Sequence, residues 1–244
     1  MKPAREPLTD WEARFEPLRA RVRAEREAER AAFTGDCWSC RDHGPCRDCA
    51  RGRAEIARLE AAAIDDALLA AGVRSRFLHH RLADFPDSGP RAELAAFIRD
   101  GLPRKNLLII GPYGTGKTTL AISGLRELLA AGRIRGARFI TAPALFDALR
   151  AGYDDGSFVR LQRRMQTTPL LIIDDLGAER PTDWAVERLY AIINERYEER
   201  RPIWITSNVP ADALADVVSE RVWWRLIELP EIIIVDGRNL RAHA

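Results

Sequence analysis

The stretch IIGPYGTGKTTL (residues 109–120) combines the residue types that hold a chain of phosphates. Its G-x-x-x-x-G-K-[ST] spacing is that of a phosphate-binding loop, also called a Walker A motif. Glycines let the backbone wrap a phosphate with several N–H groups pointing inward, and a following helix adds the positive end of its dipole. The predicted nucleotide-binding residues are Gly111, Pro112, Tyr113, Gly114, Thr115, Gly116, Lys117, Thr118 and Thr119.

Three side chains of this loop have expected roles. Lys117 should reach the β- and γ-phosphates, and the Thr118 hydroxyl should ligate Mg²⁺. Thr119 could donate to the α-phosphate side. A glycine-rich turn that binds nothing is the alternative. The apolar strand predicted before the loop and the helix predicted after it favour nucleotide binding, because the motif requires that context.

Polar residues follow two further apolar stretches. In LLIIDDLG (170–177), Asp174 emerges at the end of a predicted strand, and its carboxylate suits Mg²⁺. Asp175 could orient or deprotonate an attacking water molecule. Asn208 ends the next predicted strand and could hold the same water or the γ-phosphate. The alternatives are two aspartates in an exposed turn, and a simple turn asparagine before Pro210.

All four cysteines of the chain lie in CWSCRDHGPCRDC, with the spacing C-x₂-C-x₅-C-x₂-C. Two closely spaced Cys-x-x-Cys pairs can supply four thiolates to one tetrahedral zinc ion, and an iron–sulfur cluster or free thiols are the alternatives. The segment is too small for a hydrophobic core of its own, so metal binding should fold it. The predicted zinc ligands are Cys37, Cys40, Cys46 and Cys49.

The elements that position these residues follow from the hydrophobic pattern. Continuous apolar stretches alternate with helical patterns, which predicts an α/β fold with a parallel sheet covered on both faces. The predicted strands are 107–111, 137–142, 169–175, 202–208 and 231–237. The predicted helices are 117–131, 143–151 and 182–200, preceded by a charged helix ending near Phe33 and a second helix at 53–71.

Composition sets broad limits on the class of protein. The chain is 46% hydrophobic and 30% charged, with a net charge of +2, so it can form a core and its overall charge indicates no partner. No apolar run approaches the ~20 residues of a membrane span, and the N-terminus lacks a secretory signal. We expect a cytoplasmic protein with three segments: a helical zinc-binding domain (1–71), a linker (72–90) and a nucleotide-binding domain (91–244).

In their order along the chain, these motifs resemble the AAA+ ATPases of the bacterial replicative helicase-loader type. This is the DnaC/DnaI group, whose relatives include the transposition ATPase IstB. The resemblance spans about residues 72–241. It rests on AGVRSRFLHHRLADF, GPYGTGKTTL, FITAPALFDALRAGYDDGS, LLIIDDLGAER, WAVERLYAIINERYEERRPIWITSNVP, SERVWWRLIE and DGRNLR. The last segment departs from the family's G-x-S-Y-R ending, because Asn239 and Leu240 replace Ser and Tyr before Arg241.

The resemblance implies a fold, ligands and an assembly. It implies a five-stranded parallel sheet with the AAA+ strand order, ATP and Mg²⁺ as ligands, and action as an oligomer. Arg76 and Phe77 resemble a segment that packs near the adenine. Most AAA+ proteins end the second motif with Asp-Glu, whereas this chain has Asp174 and Asp175. Because aspartate is one methylene shorter than glutamate, we expect slow ATP hydrolysis.

The segment SERVWWRLIE resembles the part of AAA+ proteins that carries the arginine finger. Such an arginine reaches ATP held by a neighbouring subunit and can raise the rate by ~10³–10⁵. Arg225 falls on the family's Arg-Leu position, with Arg221 as the second candidate. A surface cation on a helix is the alternative.

The segment SFVRLQRRMQ predicts a helix with Arg160, Arg163 and Arg164 on one face. In the resembling family, the region between the second and third strands helps to bind single-stranded DNA, whose phosphates these arginines would contact. A solvated face without a ligand fits the same pattern.

Three functions are compatible with these features. The first is an ATP-dependent loader of a hexameric replicative helicase onto single-stranded DNA, in which the N-terminal domain meets the helicase. The second is an IstB-like ATPase that assists a transposase on duplex DNA, although such proteins are not expected to carry the cysteine segment. The third is a small-molecule kinase, against which Asp175, Asn208 and the lack of an obvious second-substrate lid argue.

Overall fold

The computed structural model describes residues 24, 40, 44–47, 49–86, 89–100, 105–178, 181–228 and 231–236. The chain forms two compact units, 1–63 and 64–244. Apart from residue 24, the predicted helix ending near Phe33 lies outside the described residues, as do Cys37 and the segment Asn239–Arg241. The assignment of separate roles to 1–71, 72–90 and 91–244 stays a prediction.

The described elements follow the alternation expected from sequence, with slightly shorter strands. Helix α1 is Ala50–Ala71, and two short 3₁₀ turns at Ser75–Phe77 and Leu82–Asp84 lead to α2, Pro90–Arg99. The elements after α2 are β1 (Leu107–Ile110), α3 (Lys117–Ala130), β2 (Ala137–Thr141), α4 (Ala142–Ala151), α5 (Ser157–Thr167), β3 (Leu170–Asp174), α6 (Asp183–Glu198), β4 (Ile203–Ser207), α7 (Ala211–Val218), α8 (Glu220–Leu226) and β5 (Glu231–Ile234).

The strands form one parallel five-stranded sheet in the order β2-β3-β4-β1-β5. The predicted fold class is therefore confirmed. Because all strands run the same way, their carboxyl ends meet at one edge. Ile110, Asp174 and Ser207 end β1, β3 and β4 there, so the phosphate loop and the polar residues after β3 and β4 come together.

Both faces of the sheet are covered by helices, which explains why the strands read as continuous apolar runs. Leu107 and Ile109 face a core shared with α2 and α3, whereas Leu108 and Ile110 face a core shared with α4, α6, α7 and α8. Each fully buried Leu or Ile contributes about 1.5–3 kcal/mol. Among the described helices, none is both long and apolar enough to cross a bilayer.

Candidate nucleotide-binding site

The loop between β1 and α3 has the backbone of a tight phosphate cradle. Gly114 and Gly116 have φ angles of 79° and 92°, which L-residues with side chains rarely adopt. Gly111 is required for a different reason: a Cβ on this residue would lie 2.1 Å from the carbonyl oxygen of Val235. The path of the loop therefore depends on glycine at all three positions.

Lys117 is held inside this loop. Its side chain is buried, and its Nζ donates to the carbonyl of Pro112 at 2.7 Å. The Thr115 hydroxyl donates to the same carbonyl at 2.9 Å. The loop thus closes around the ammonium, which lies where a phosphate in the cradle would meet it.

Asp174 lies at the meeting point of three elements. The hydroxyls of Thr118, on α3, and Thr206, on β4, donate to its Oδ1 at 2.8 and 2.7 Å. Thr118 and Asp174 therefore lie close enough to ligate one small cation together, and hydroxyl and carboxylate oxygens are the ligands that Mg²⁺ prefers. The predicted magnesium pair fits the geometry.

Burial raises the pKa of Asp174, because it disfavours the charged carboxylate. The hydrogen bonds from Thr206 and Thr118 oppose this shift, the charge of Asp175 adds to it, and the charge of Lys117 opposes it. Ionisation of this buried carboxylate is unfavourable, so a cation bound beside it would stabilise the charged form. The site is therefore suited to bind metal and phosphate together.

Asp175 has an unusual backbone. Its φ is 60°, in the left-handed region, which costs an ordinary residue roughly 1–2 kcal/mol. Its N–H donates to the Thr206 hydroxyl at 2.9 Å, and the next N–H, of Leu176, donates to the Thr206 carbonyl at 2.9 Å. The Ser207 hydroxyl donates to the Leu176 carbonyl at 2.6 Å. The loop after β3 is thus held in its strained form by the end of β4.

Thr206 is the residue of this site that sequence reasoning missed. Its hydroxyl accepts from the Asp175 N–H and donates to Asp174, so it fixes both carboxylate residues. Register could have identified it: Ile172 pairs with Trp204 and Ile173 with Ile205, which places Thr206 beside Asp174. Asn208, which was predicted, lies on the same edge, and its buried Oδ1 has no hydrogen-bond partner among the described residues.

The two candidate finger arginines have different surroundings on α8. Arg225 lies over the ring of Tyr190 at 4.9 Å, with Tyr197 at 5.8 Å, and its Nε donates to Asn194 Oδ1. Its Nη1 donates to the carbonyl of Arg221 at 3.2 Å. The side chain of Arg221 is exposed. Arg225 is therefore held by α6 of its own chain, and both finger assignments stay predictions.

The three arginines predicted to contact DNA lie on α5 as expected, but in different settings. Arg160 is exposed, and Arg163 lies 3.8 Å from Glu195. Arg164 is half-buried, and burial together with the charge of Arg138 lowers its pKa to about 10. The sequence did not indicate this proximity of Arg138, which lies on β2.

Three cysteines converge in the first compact unit. The sulfurs of Cys40, Cys46 and Cys49 all lie within 4.8 Å of one another. The N–H groups of Cys46 and Gly52 donate to the sulfurs of Cys40 and Cys49 at 3.4 and 3.2 Å. Backbone donors of this kind stabilise thiolates, so the cluster suits a thiophilic metal ion. Cys37 lies outside the described residues.

Asp174→Asn tests the electrostatics of the site. The pKa of Asp174 is raised in the folded state, so ionisation of its carboxylate lowers the stability of the fold as pH rises through that pKa. Asparagine carries no charge and therefore lacks this cost. Without nucleotide, the variant should melt at the parent temperature or above it at pH 7.5, with a difference that shrinks as pH falls. The stabilisation by ATP and Mg²⁺ should be lost.

Thermal melts with and without nucleotide measure both effects, and Asp216→Asn, at an exposed position of α7, is the matched control. A large loss of stability without nucleotide, together with a full response to ATP and Mg²⁺, would contradict this account of the site.

Comparison with solved structures agrees with the fold. A crystal structure of the DnaC helicase loader superposes with a TM-score of 0.60 at 26% identity, covering 67% of this chain and all of that one. A crystal structure of DnaI gives a TM-score of 0.58 at 25% identity, covering 69% of this chain and 94% of that one.

Sequence relatives come from several kinds of protein. An insertion-sequence ATP-binding protein of Sinorhizobium fredii, y4pL, is 33% identical over 141 residues, 56% of each chain. The replicative helicase loader DnaI of Bacillus subtilis is 26% identical over 150 residues, 56% of this chain and 48% of its own. The chain spans about half the length of the curated relatives it matches.

The family model described as IstB-like ATP binding protein matches residues 92–241, which include the phosphate loop, both aspartates, Thr206 and both candidate finger arginines. The chain therefore belongs to the IstB-like family of AAA+ ATP-binding proteins, with the DnaC and DnaI helicase loaders among its structural neighbours.

Proposed function

We propose that this protein is an ATP-dependent loader of a replicative DNA helicase, switched by ATP binding and slow hydrolysis. The observation that carries the proposal is the combination, in one chain, of a phosphate-loop site with a separate thiolate cluster ahead of it. The loader resemblance implies this layout: an N-terminal metal domain for the helicase and an ATPase domain for the switch.

We propose a part in ATP hydrolysis for each residue of the site. The loop and Lys117 would hold the phosphates, and Thr118 with Asp174 would hold Mg²⁺, which would supply positive charge to neutralise the phosphates. Asp175 and Asn208 orient the water that attacks the γ-phosphorus as the bond to the β-phosphate oxygen breaks. Because the side chain of Asp175 is one methylene shorter than that of glutamate, we expect it to activate water poorly, which supports slow turnover and a role as a switch.

Completion of the site by a neighbouring subunit fits the position of Arg225. In one chain this arginine is held by Tyr190, Asn194 and Tyr197. To act on a neighbour's ATP it would exchange those contacts for the γ-phosphate. ATP would then stabilise an oligomer, and hydrolysis would weaken it.

Mixing two inactive variants tests this arrangement. Lys117→Ala removes the phosphate contact, and Arg225→Ala removes the finger but leaves nucleotide binding intact. Each variant alone should lose about 10³-fold or more in hydrolysis rate. A mixture should recover part of the activity, because some interfaces pair an intact site with an intact finger.

A mixture of Arg225→Ala with the double variant Lys117→Ala/Arg225→Ala supplies no intact finger and should stay inactive. If the first mixture also stays inactive although ATP still drives assembly, Arg225 is not the finger. The same experiment with Arg221→Ala then tests the second candidate.

Zinc is the metal proposed for the thiolate cluster, held by Cys40, Cys46, Cys49 and Cys37. It would serve as a structural ion, since four thiolates complete its shell. Freshly purified protein should contain about one zinc per chain. Chelation, or Cys49→Ser, should release the zinc and unfold the N-terminal unit while ATP affinity stays unchanged. Elemental analysis that finds no metal, or finds iron instead, would contradict the assignment.

Single-stranded DNA is the nucleic acid proposed for the arginines of α5. Arg160 and Arg163 lie at the surface, where phosphates can reach them. Lysine and arginine contacts with phosphates depend on salt, so affinity should fall steeply as salt rises.

A transposition ATPase is the second candidate, favoured by the 33% identity to the insertion-sequence protein y4pL. A loading assay separates the two. The full chain with ATP should place the hexameric helicase of the source organism on circular single-stranded DNA, and Lys117→Ala should not. No loading, combined with ATP-dependent stimulation of a transposase on duplex DNA, would overturn the loader in favour of the second candidate.

A further inference from the structure

Two hydroxyls donate to the carboxylate of Asp174, but they differ in what else they touch. Thr118 is half-buried on the helix that follows the phosphate loop, whereas Thr206 is 1% exposed at the end of β4. The Thr206 hydroxyl donates its proton to Asp174 Oδ1 at 2.7 Å and accepts the N–H of Asp175 at 2.9 Å. Thr206 therefore joins the residue proposed to hold Mg²⁺ to the residue proposed to orient the attacking water.

The backbone of Asp175 is strained and must be held in place. Its φ of 60° lies in the left-handed region, and such a residue keeps its conformation only where its surroundings impose it. Two hydrogen bonds to Thr206 do so here: the Asp175 N–H bonds to the hydroxyl, and the Leu176 N–H bonds to the carbonyl. Only the first of these two bonds depends on the side chain, so a substitution of Thr206 can remove it and leave the second.

Loss of the hydroxyl should release this backbone. Asp175 is half-buried, and an N–H group without an acceptor is costly away from water, so the peptide should turn towards another partner. Rotation about the backbone of Asp175 changes the direction of its Cα–Cβ bond and moves the carboxylate with it. Lys117 and Thr118 lie on α3, outside this loop, and should stay where they are.

We propose that Thr206 is a positioning residue for ATP hydrolysis. Its hydroxyl fixes the backbone of Asp175 and thereby the point from which the Asp175 carboxylate meets the attacking water. The inference rests on the proposed ATPase activity, which the loader and the transposition ATPase share. It follows that nucleotide binding and hydrolysis separate at Thr206, because the phosphate loop holds the nucleotide whereas Thr206 acts on the water.

Thermal melts without nucleotide test the backbone role directly. Asp175→Gly and Asp175→Ala both lack the carboxylate and keep the N–H, but only glycine adopts a φ of 60° freely. Asp175→Gly should therefore melt roughly 2–4 °C above Asp175→Ala. This advantage of glycine should vanish when Thr206→Val is added to both variants, because valine keeps the shape of threonine without the hydroxyl that holds the backbone.

Thr118→Val is the matched control for these melts. It removes the other hydroxyl on Asp174 and leaves the bond between Thr206 and the Asp175 N–H, so the advantage of glycine should persist in full. An equal advantage with and without Thr206→Val would overturn the proposal.

Amide hydrogen exchange of the parent decides the same point if Thr206→Val does not fold. The Asp175 N–H should exchange slowly, because it donates to a buried hydroxyl. Exchange of this amide at the rate of a free peptide would overturn the proposal.

Hydrolysis is then compared with the affinity for a non-hydrolysable ATP analogue, both at saturating Mg²⁺. Thr206→Val should lose about 10–100-fold in kcat, the usual effect of removing a partner that orients a residue of a metal site. Its affinity for the analogue should stay close to that of the parent. Thr206→Ser, which keeps the hydroxyl, should retain most of the rate. A merely structural role predicts a parallel loss of affinity and rate, and that result would overturn the proposal.

A double variant shows whether Thr206 acts through Asp175. Asp175→Ala already lacks the carboxylate, so adding Thr206→Val should slow hydrolysis little further, since residues that act as a unit are not additive. A full additional loss would place the effect elsewhere and overturn the proposal. A parent that binds the analogue but hydrolyses no ATP would refute the proposed function and with it the hydrolytic role, whereas the melts would still show whether Thr206 holds Asp175.

Discussion

The hydrogen bonds that converge on Asp174 are the constraint on which the site depends. They join α3 through Thr118, β3 through Asp174 itself and β4 through Thr206. Thr206 also fixes the strained backbone of Asp175. A nucleotide with Mg²⁺ would bind to the same atoms, so its arrival or loss acts on three elements at once. The chemistry that we propose for the site and its proposed use as a switch would therefore share one physical origin.

Arg225 is one of the cations that we propose to act on a ligand outside their own chain. Arg225 rests against two tyrosines and an asparagine, a set of contacts without a carboxylate. By contrast, buried Arg196 donates through both Nη atoms to five backbone carbonyls around β3 and β4, so it helps to hold the fold. The contrast distinguishes arginines that stabilise the core from those we propose to act on ligands.

The cysteine cluster and the unit that contains the parallel sheet differ in what stabilises them. The parallel sheet has two apolar cores and needs no metal to hold it. In the segment around Cys40, Cys46 and Cys49 the sulfurs lie within 4.8 Å of one another, and we propose that a bound metal ion stabilises this segment.

The sequence by itself determined the fold class, the phosphate loop and Asp174. These features depend on local spacing: glycines before a lysine, apolar runs long enough for buried strands, and a carboxylate directly after one of them. Tertiary structure decided what depends on neighbours far apart in the chain. The strand order placed Thr206 beside Asp174. The packing of α6 against α8 placed Arg225 over the rings of Tyr190 and Tyr197. Such pairs have no signature in local spacing, because their partners are chosen by the register and packing of separate elements.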